Sequence, residues 1–164
     1  MRILLAVPRW PWPPRLGDRL RAQQTLAVLA GEHEVTLLAP EPGRDGEPPP
    51  AGLAGRFHLE TCPSRPRAVV GGWPLQSALY ARAGLGRRLR ELAPDTDLVI
   101  LELVRLAPHL RDVASLGQDG PPVVVGLIDS LALNVGRRAV FDRPWLRPAL
   151  AVERRRLERA ERRV

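Results

Sequence analysis

The chain has 164 residues, of which 45% are hydrophobic and 26% are charged. These values are typical of one globular domain, so they exclude a disordered chain and leave no room for two full α/β domains. The sequence has no apolar run near the ~20 residues that cross a bilayer, and its single cysteine, Cys62, excludes an internal disulfide and a paired-cysteine metal motif. We therefore predict a single domain, residues 1–164, in the cytoplasm.

The net charge of +7 is concentrated near the C-terminus. Residues 137–164 contain ten arginines and four acidic residues, whereas the charges of the preceding residues almost cancel. Apolar residues recur at helical spacing from residue 143 onward, which predicts a basic C-terminal helix over residues 143–164. Its arginines either lie on a solvated face or bind a polyanion or an anionic membrane surface, which would place the protein at the inner face of the membrane.

The first 38 residues have the pattern of a βαβ unit. A continuous apolar run at residues 2–7 is typical of a buried parallel strand. A loop rich in proline and tryptophan follows, and helical periodicity then extends over residues 19–30, with Asp18 as the predicted N-cap and Gly31 at the C-terminal end. Residues 34–38 form the second predicted strand.

The rest of the chain continues to alternate between strands and helices. A loop rich in proline and glycine occupies residues 40–55, and the helical pattern of residues 74–92 is predicted to break at Gly84 and Gly86. The remaining predicted elements are strand 56–62, strand 98–103, short helix 108–115, strand 123–127 and a loop or short helix over 129–138. This alternation predicts an α/β fold, a doubly wound and mainly parallel sheet with helices on both faces.

In sheets of this kind, ligands bind at the edge where the strands reach their carboxyl ends. Gly17 lies between the first strand and the first helix, where a phosphate could approach the backbone N–H groups; the alternative is a plain turn. A single glycine matches neither the GxGxxG dinucleotide fingerprint nor a P-loop, which disfavours a nicotinamide-dependent Rossmann enzyme. Trp10 and Trp12, in the same loop, either pack in the core or stack on a sugar or an apolar acceptor.

Polar residues also follow the fourth and fifth predicted strands. Glu102 and Arg105 belong to the fourth strand end, and Asp129, Asn134 and Arg138 follow the fifth. A carboxylate beside arginines can orient a sugar hydroxyl or act as a base while the arginines hold phosphate oxygens. The alternative role for Asp129 is that of a helix N-cap. The spacing of the three histidines indicates no metal site.

Five segments, in the right order, resemble family 4 glycosyltransferases of the GT-B type. The opening RILLAVPRWPWPPRLGDRLRAQQTLAVLAGEHEVTLLAP is similar to the start of that family, in which a strand leads through a P-P-x-x-G-D loop into a helix containing an arginine. One bacterial branch of the family is resembled by GGWPLQSALYARAGLGRRLREL, DLVILELVRLAPHL and GLIDSLALNVGRRA. The final ERRRLERAERRV resembles the helix that leads out of the N-terminal domain.

The resemblance implies an acceptor-side Rossmann-like domain that is incomplete, and inactive as this chain alone. The donor, a nucleotide diphosphate sugar, would be bound mainly by a second domain, and helix 143–164 would lead toward that domain. The implied donor-phosphate loop contains Gly17, Asp18 and Arg21, and the implied catalytic residue is Asp129. The residues assigned to the acceptor and cleft are Trp10, Trp12, Glu102, Arg105, Asn134 and Arg138. The implied transfer uses helix dipoles and arginines, with no metal and no tightly bound cofactor.

Two classes of function therefore stand as predictions. The first is the N-terminal domain of a glycosyltransferase, with a donor-binding domain in the same gene or a separate chain and a sugar, lipid or small-molecule acceptor. The alternative is a non-catalytic, arginine-rich module that binds an anionic membrane, nucleic acid or a protein. Nucleic acid is the weakest of these partners, because no aromatic residues are interleaved with the arginines of the final helix.

Overall fold

Five parallel strands form a single sheet in the computed structural model, which describes residues 1–63, 74–80, 83–127 and 130–164. The strands are β1 (Arg2–Ala6), β2 (Glu34–Pro40), β3 (His58–Cys62), β4 (Leu98–Glu102) and β5 (Val123–Gly126). Their order across the sheet is β3-β2-β1-β4-β5, and every neighbouring pair is parallel. The chain thus winds outward in both directions from β1, which confirms the predicted doubly wound α/β fold.

Six α-helices connect or follow these strands in the described part of the chain. They are α1 (Gly17–Glu32), α2 (Leu75–Tyr80), α3 (Ala83–Leu92), α4 (Leu110–Ala114), α5 (Leu131–Phe141) and α6 (Arg147–Glu161). Short 3-10 helices cover Ala93–Asp95, Val104–His109 and Pro144–Leu146. The predicted loop or short helix after β5 is a helix of three turns, and the basic C-terminal helix begins later than residue 143 because Pro144–Leu146 forms a 3-10 turn first. No described helix has both the length and the apolar character needed to span a bilayer.

The strand side chains alternate between two apolar layers. Helix α1 covers one face of the sheet, and α3, α4 and the 3-10 helix Val104–His109 cover the other. The buried residues of the α1 layer are Ile3, Leu5, Val7, Trp10, Trp12, Ala22, Leu26, Val35, Leu37 and Ala39. The buried residues of the opposite layer are Leu4, Ala6, Leu38, Cys62, Leu85, Leu89, Ala93, Val99, Leu101, Leu106 and Val113. This arrangement explains the continuous apolar runs of the central strands, which are covered on both faces.

The start of β1 is tied to the turn before β4. The backbone N–H of Arg2 donates to Oδ2 of Asp97 at 2.7 Å. This hydrogen bond lowers the pKa of the exposed Asp97 carboxyl from its usual value. The contact is therefore present at neutral pH and is lost only as the pH falls through the lowered pKa.

A buried polar cluster joins α3, α4 and the 3-10 helix that precedes α4. His109 is 1% exposed, and its Nδ1 lies 2.8 Å from Oδ2 of Asp112. Because an ionised carboxylate only accepts, the ring nitrogen is the donor. Arg90 of α3 forms an ion pair with Oδ1 of the same carboxylate. Asp112 thus connects a buried imidazole to a guanidinium on the neighbouring helix.

The predicted helix break at Gly84 and Gly86 is wrong, because both glycines lie inside α3. Their role is close packing. A Cβ at Gly86 would overlap the carboxylate of Asp112, and a Cβ at Gly84 would lie 2.9 Å from Cδ of Pro63. The predicted helix 74–92 is described as two helices, α2 and α3, and positions 81 and 82 between them lie outside the described residues.

Helices α5 and α6 form a hairpin that packs on the 3-10 helix after β4. The buried side chains shared by these elements are Val104, Ala107, Leu131, Ala132, Val135, Leu157 and Ala160. A polar contact at the N-terminus of α5 strengthens the hairpin. Ser130 caps α5 by accepting from the N–H of Leu133 at 3.1 Å, and Glu161 of α6 accepts from Ser130 Oγ at 3.0 Å and from the N–H of Ala132 at 3.1 Å.

Replacing Glu161 by alanine is expected to lower the free energy of unfolding by about 1 kcal/mol, the usual loss when a capping acceptor at a helix N-terminus is removed. Urea unfolding followed by circular dichroism measures the change. Glu158→Ala is the matched control, because Glu158 lies on the same helix and only pairs with exposed Arg154 at 3.2 Å. Its expected loss is about 0.3–0.5 kcal/mol. Equal losses in the two variants would contradict the capping role of Glu161.

Candidate functional site

A cleft lies at the carboxyl edge of the sheet, where the chain leaves β1 and β4. Its volume is about 410 Å³. Four described segments line it: Arg9 after β1, the residues at the start of α1, the residues after β4, and the first residue of α5. The described residues that line it are Arg9, Leu16, Gly17, Asp18, Leu103, Arg105 and Leu131. The cleft is therefore at the edge of an open α/β sheet where ligands usually bind.

Two arginines share one carboxylate in this cleft. A guanidinium nitrogen of Arg9 and one of Arg105 each lie 3.0 Å from Oδ2 of Asp18. All three side chains are at least two-thirds buried, so the ion pairs are more shielded from salt and water than surface pairs are. Among the described residues, two guanidinium groups and one carboxylate therefore lie together beside the N-terminus of α1.

Tyr80 of α2 holds both arginines in place. The Nε–H of Arg9 donates to the Tyr80 hydroxyl at 2.7 Å. The guanidinium carbons of Arg9 and Arg105 each lie 5.2 Å from the centre of the Tyr80 ring, within the range of cation–π attraction. Asp18 and Tyr80 together fix the orientation of the two guanidinium groups.

The N-terminus of α1 opens into the same cleft. Leu16 is the N-cap and has no side chain that could accept a hydrogen bond from the helix. Asp18 accepts from the N–H of its neighbour Arg19 at 3.0 Å. A Cβ added at Gly17 would meet nothing within 4 Å, so there is open space over the first N–H groups of the helix. The helix dipole and the arginines attract an anion to the same place.

The prediction that Asp18 is the N-cap of α1 is wrong. The helix begins at Gly17, two residues before the predicted start, and Asp18 lies in its first turn. The physical reason is tertiary: the Asp18 carboxylate points to Arg9 and Arg105, whose two ion pairs outweigh the benefit of a local cap. The helix also continues past Gly31 to Glu32.

A strained residue borders the cleft. Leu103, directly after β4, has φ 73° and ψ 145°, a backbone conformation that residues other than glycine rarely adopt. It is held by a hydrogen bond from its N–H to the carbonyl of Gly126 at 3.0 Å, and its own carbonyl accepts from Leu106 at 3.0 Å. Such strain costs about 1–3 kcal/mol and is concentrated at functional sites. It turns the chain sharply, so that Arg105 faces Asp18.

The structure brings together three of the predicted site residues: Gly17, Asp18 and Arg105. Glu102 lies beneath them, 5% exposed, with Oε1 accepting from the Thr25 hydroxyl of α1 at 2.8 Å. It thus connects β4 to α1 below the cleft. Arg21, one turn further along α1, is exposed and does not line the cleft.

The two loop tryptophans belong to the core. Trp10 and Trp12 are 8% and 2% exposed. Their rings meet edge to face at 5.5 Å, Trp12 stacks on Phe57 at 6.0 Å, and Nε1 of Trp10 donates to the carbonyl of Glu47 at 2.9 Å. The sequence left open whether these tryptophans pack in the core or stack on an acceptor. They pack in the core, because protein atoms already cover the ring faces that an acceptor would need.

The predicted residues after β5 are not gathered in the cleft. Asn134 and Arg138 are exposed on α5, and Arg138 pairs at 2.7 Å with Asp142, the C-cap of that helix. The α5 residue that does line the cleft is Leu131. Asp129, the predicted catalytic residue, lies outside the described residues. The N-cap of α5 is Ser130, so the alternative capping role suggested for Asp129 is filled by its neighbour.

Sequence reasoning missed Arg9, Tyr80 and Leu103. Arg9 could have been found, because it follows the first strand as directly as Arg105 follows the fourth. Tyr80 has no local signal, since only the packing of α2 brings its ring to the two arginines. Among the described residues, no group of three histidine, cysteine, aspartate or glutamate side chains is placed to hold a metal ion.

Gly17 provides a direct test of whether the open helix terminus binds an anion. Gly17→Ala is expected to leave the free energy of unfolding unchanged or raise it by up to about 1 kcal/mol, because alanine favours helix and meets no clash there. The same change should weaken the binding of pyrophosphate roughly tenfold, since the methyl group displaces the anion from a backbone N–H. Calorimetric titration measures the binding.

The matched control is Gly31→Ala, near the opposite end of the same helix. A Cβ there meets only a guanidinium nitrogen of Arg56 at 3.7 Å, an ordinary contact. Its expected effect on stability is similar, and its expected effect on pyrophosphate binding is nil. If both variants bound pyrophosphate like the parent chain, Gly17 would be a simple turn residue.

No protein-family model matches the chain, and no curated protein is similar enough to it to show a family.

Proposed function

We propose that this chain is the acceptor-side domain of a GT-B-type glycosyltransferase, which moves a sugar from a nucleotide diphosphate donor to an acceptor when a donor-binding domain closes over it. The observation that carries the proposal is the convergence of Arg9, Arg105 and the open N-terminus of α1 in one cleft. The family resemblance of the sequence supplies the reaction class, and the cleft supplies a suitable place for the anionic part of the donor.

The charge of the cleft suits a group that becomes more negative as the reaction proceeds. When a sugar leaves its donor, negative charge develops on the terminal phosphate of the departing diphosphate. Fixed guanidinium groups and backbone N–H groups stabilise that charge without reorganising during the reaction. Asp18 and Tyr80 contribute indirectly, because they hold Arg9 and Arg105 in position before any ligand arrives.

The proposal assigns most donor binding to a second domain. The described lining of the cleft provides charged groups for a diphosphate, whereas the nucleoside of a nucleotide sugar needs contacts of its own. We therefore expect the chain alone to bind nucleotide sugars weakly or not at all, and we expect turnover only when the donor-binding domain is joined to it or added as a separate chain.

The decisive experiment is a transfer assay on protein purified from its native cell, so that any donor-binding domain or partner chain is present. A panel of uridine, guanosine and thymidine diphosphate sugars is incubated with lipid and saccharide extracts of the same cell. Release of a nucleoside diphosphate together with sugar incorporation is the expected result. Absence of transfer with every donor, or tight stoichiometric binding of a nucleotide sugar to the 164-residue chain alone, would contradict the proposal.

A further inference from the structure

The end of α5 and the turn that follows it project three large apolar side chains into solvent. Phe141 is 90% exposed, the highest exposure of any large apolar residue among those described, and Trp145 and Val140 are 68% and 67% exposed. They lie within residues 137–148, a segment that also includes Arg137, Arg143 and Arg147. We call these six residues the aromatic tip.

The arginines of the aromatic tip are available for an outside partner. Arg138, beside the tip, pairs with Asp142, the only acidic residue in this segment. Arg137, Arg143 and Arg147 are exposed and form no ion pair with any described residue. The apolar side chains are thus surrounded by three positive charges that nothing in the described part of the chain neutralises.

The exposure of the tip is not that of a loose chain end. Leu157 of α6 is fully buried against α5, and Glu161 binds the N-terminus of α5. The 3-10 turn Pro144–Leu146 closes the hairpin, with Leu146 N–H donating to the Arg143 carbonyl at 2.9 Å. The fold therefore supports a rigid projection that keeps Phe141 and Trp145 in water, which is unfavourable unless something covers them.

We propose that the aromatic tip docks the protein on an anionic lipid bilayer. Trp145 enters the headgroup region, where an aromatic ring with one polar edge is favoured, and Phe141 enters the boundary with the acyl chains beside it. Arg137, Arg143 and Arg147 bind the lipid phosphates. The charge of the tip is complementary to anionic lipid. The proposal does not rest on the glycosyltransferase function, because it concerns a different surface.

The size and shape of the tip favour a bilayer over a protein partner. Two aromatic rings at these exposures offer on the order of 300 Å² of apolar surface, far less than the ~800 Å² that each partner contributes to a stable protein interface. A small projection with few apolar residues and a basic rim suits a fluid surface that adapts around it. Along α5, Phe141 is about 15 Å from Leu131, so docking would hold the cleft close to the membrane.

The test is co-sedimentation of the full chain with vesicles of phosphatidylcholine alone or mixed equally with phosphatidylglycerol. Binding is expected only to the mixed vesicles and should weaken as salt is raised. Phe141→Ser with Trp145→Ser should lower the partition coefficient at least tenfold. Arg143→Glu with Arg147→Glu should lower it by at least about fivefold for each arginine removed.

Two control pairs test whether vesicle binding depends on the aromatic tip or only on exposed apolar side chains and positive charge anywhere on the surface. Val28→Ser with Leu75→Ser removes exposed apolar side chains of α1 and α2 and should leave binding unchanged. Arg155→Glu with Arg156→Glu changes exposed arginines in the middle of α6 and should reduce binding less than the changes at the tip. Circular dichroism confirms that each variant is folded.

Tryptophan fluorescence gives a second readout. Trp145 should shift its emission to shorter wavelength on mixed vesicles, and Trp145→Phe should abolish most of the shift while retaining vesicle binding. Equal binding by the parent chain and the Phe141/Trp145 variant would overturn the proposal. So would equal losses in the two apolar variants, or self-association in the absence of lipid that the Phe141/Trp145 changes abolish while vesicles remain unbound.

Discussion

Replacing Arg105 by alanine is expected to reduce sugar transfer by about 100-fold to 1,000-fold in the assay on the native protein. That is the usual loss when one fixed donor to a developing negative charge is removed from an active site. Asp18 keeps its ion pair with Arg9 in this variant, so the Asp18 carboxylate still has a partner. The rate constant kcat should fall more than KM rises, because the lost contact is strongest when the diphosphate departs.

Two further variants sharpen this experiment. Arg105→Lys keeps the charge but loses the planar fork, and it should give an intermediate rate. Arg87→Ala is the matched control, because Arg87 is exposed on α3 and only approaches Glu91 at 3.8 Å; its rate should equal that of the parent. Unchanged transfer in a folded Arg105→Ala protein would exclude this cleft from the reaction.

Replacing Asp112 by alanine is expected to lower the free energy of unfolding by about 3 kcal/mol, the range found when one partner of a buried polar pair is removed. His109 would lose the acceptor of its Nδ1–H at a site that is 1% exposed, and Arg90 would lose its ion pair. In a chain of this length the midpoint of thermal unfolding should fall by roughly 6–12 °C, which scanning calorimetry measures.

Asp112→Asn and Asp119→Ala provide the comparison for that measurement. The asparagine keeps an acceptor for His109 while removing the charge, so its loss should be smaller. Asp119 is exposed in the turn before β5, and its replacement should change the free energy of unfolding by less than about 0.5 kcal/mol. An Asp112→Ala protein as stable as the Asp119→Ala protein would show that the cluster does not hold α3 to α4.

The sheet was predictable because its information is local and repeated. Each central strand is a short apolar run between turn residues, and burial on both faces follows directly from that pattern. The errors in the predicted helices occurred where a single side-chain contact determines the local structure. Gly84 and Gly86 were predicted to interrupt a helix, yet a glycine permits close contact as well as flexibility, and only the position of Asp112 shows which applies here.

The site was predictable in part, for a related reason. Position after a strand identifies Gly17, Asp18 and Arg105, because the carboxyl edge of a parallel sheet is defined by the strand ends alone. Position alone does not distinguish them from Trp10 and Trp12, which also follow β1. Trp12 stacks on Phe57 from a distant part of the chain, and Trp10 packs against Trp12. The contribution of Tyr80 depends on how α2 packs, and a single sequence carries no local trace of such packing.

The central position of β1 affects how the protein reaches its fold. Ile3 pairs with Val35 of β2 on one side and with Leu98 of β4 on the other. During synthesis, β2 can pair with one edge of β1 soon after both are made, whereas the other edge stays unpaired until β4 is made. At ~5–20 residues per second, the ribosome needs several seconds to extend the chain from β3 to β4. During that interval β1, whose residues 3–6 are all apolar, keeps an unpaired edge, and the nascent chain is most vulnerable to aggregation. The strand order β3-β2-β1-β4-β5 therefore requires that β1 be paired on one edge only while the chain up to β4 is synthesised.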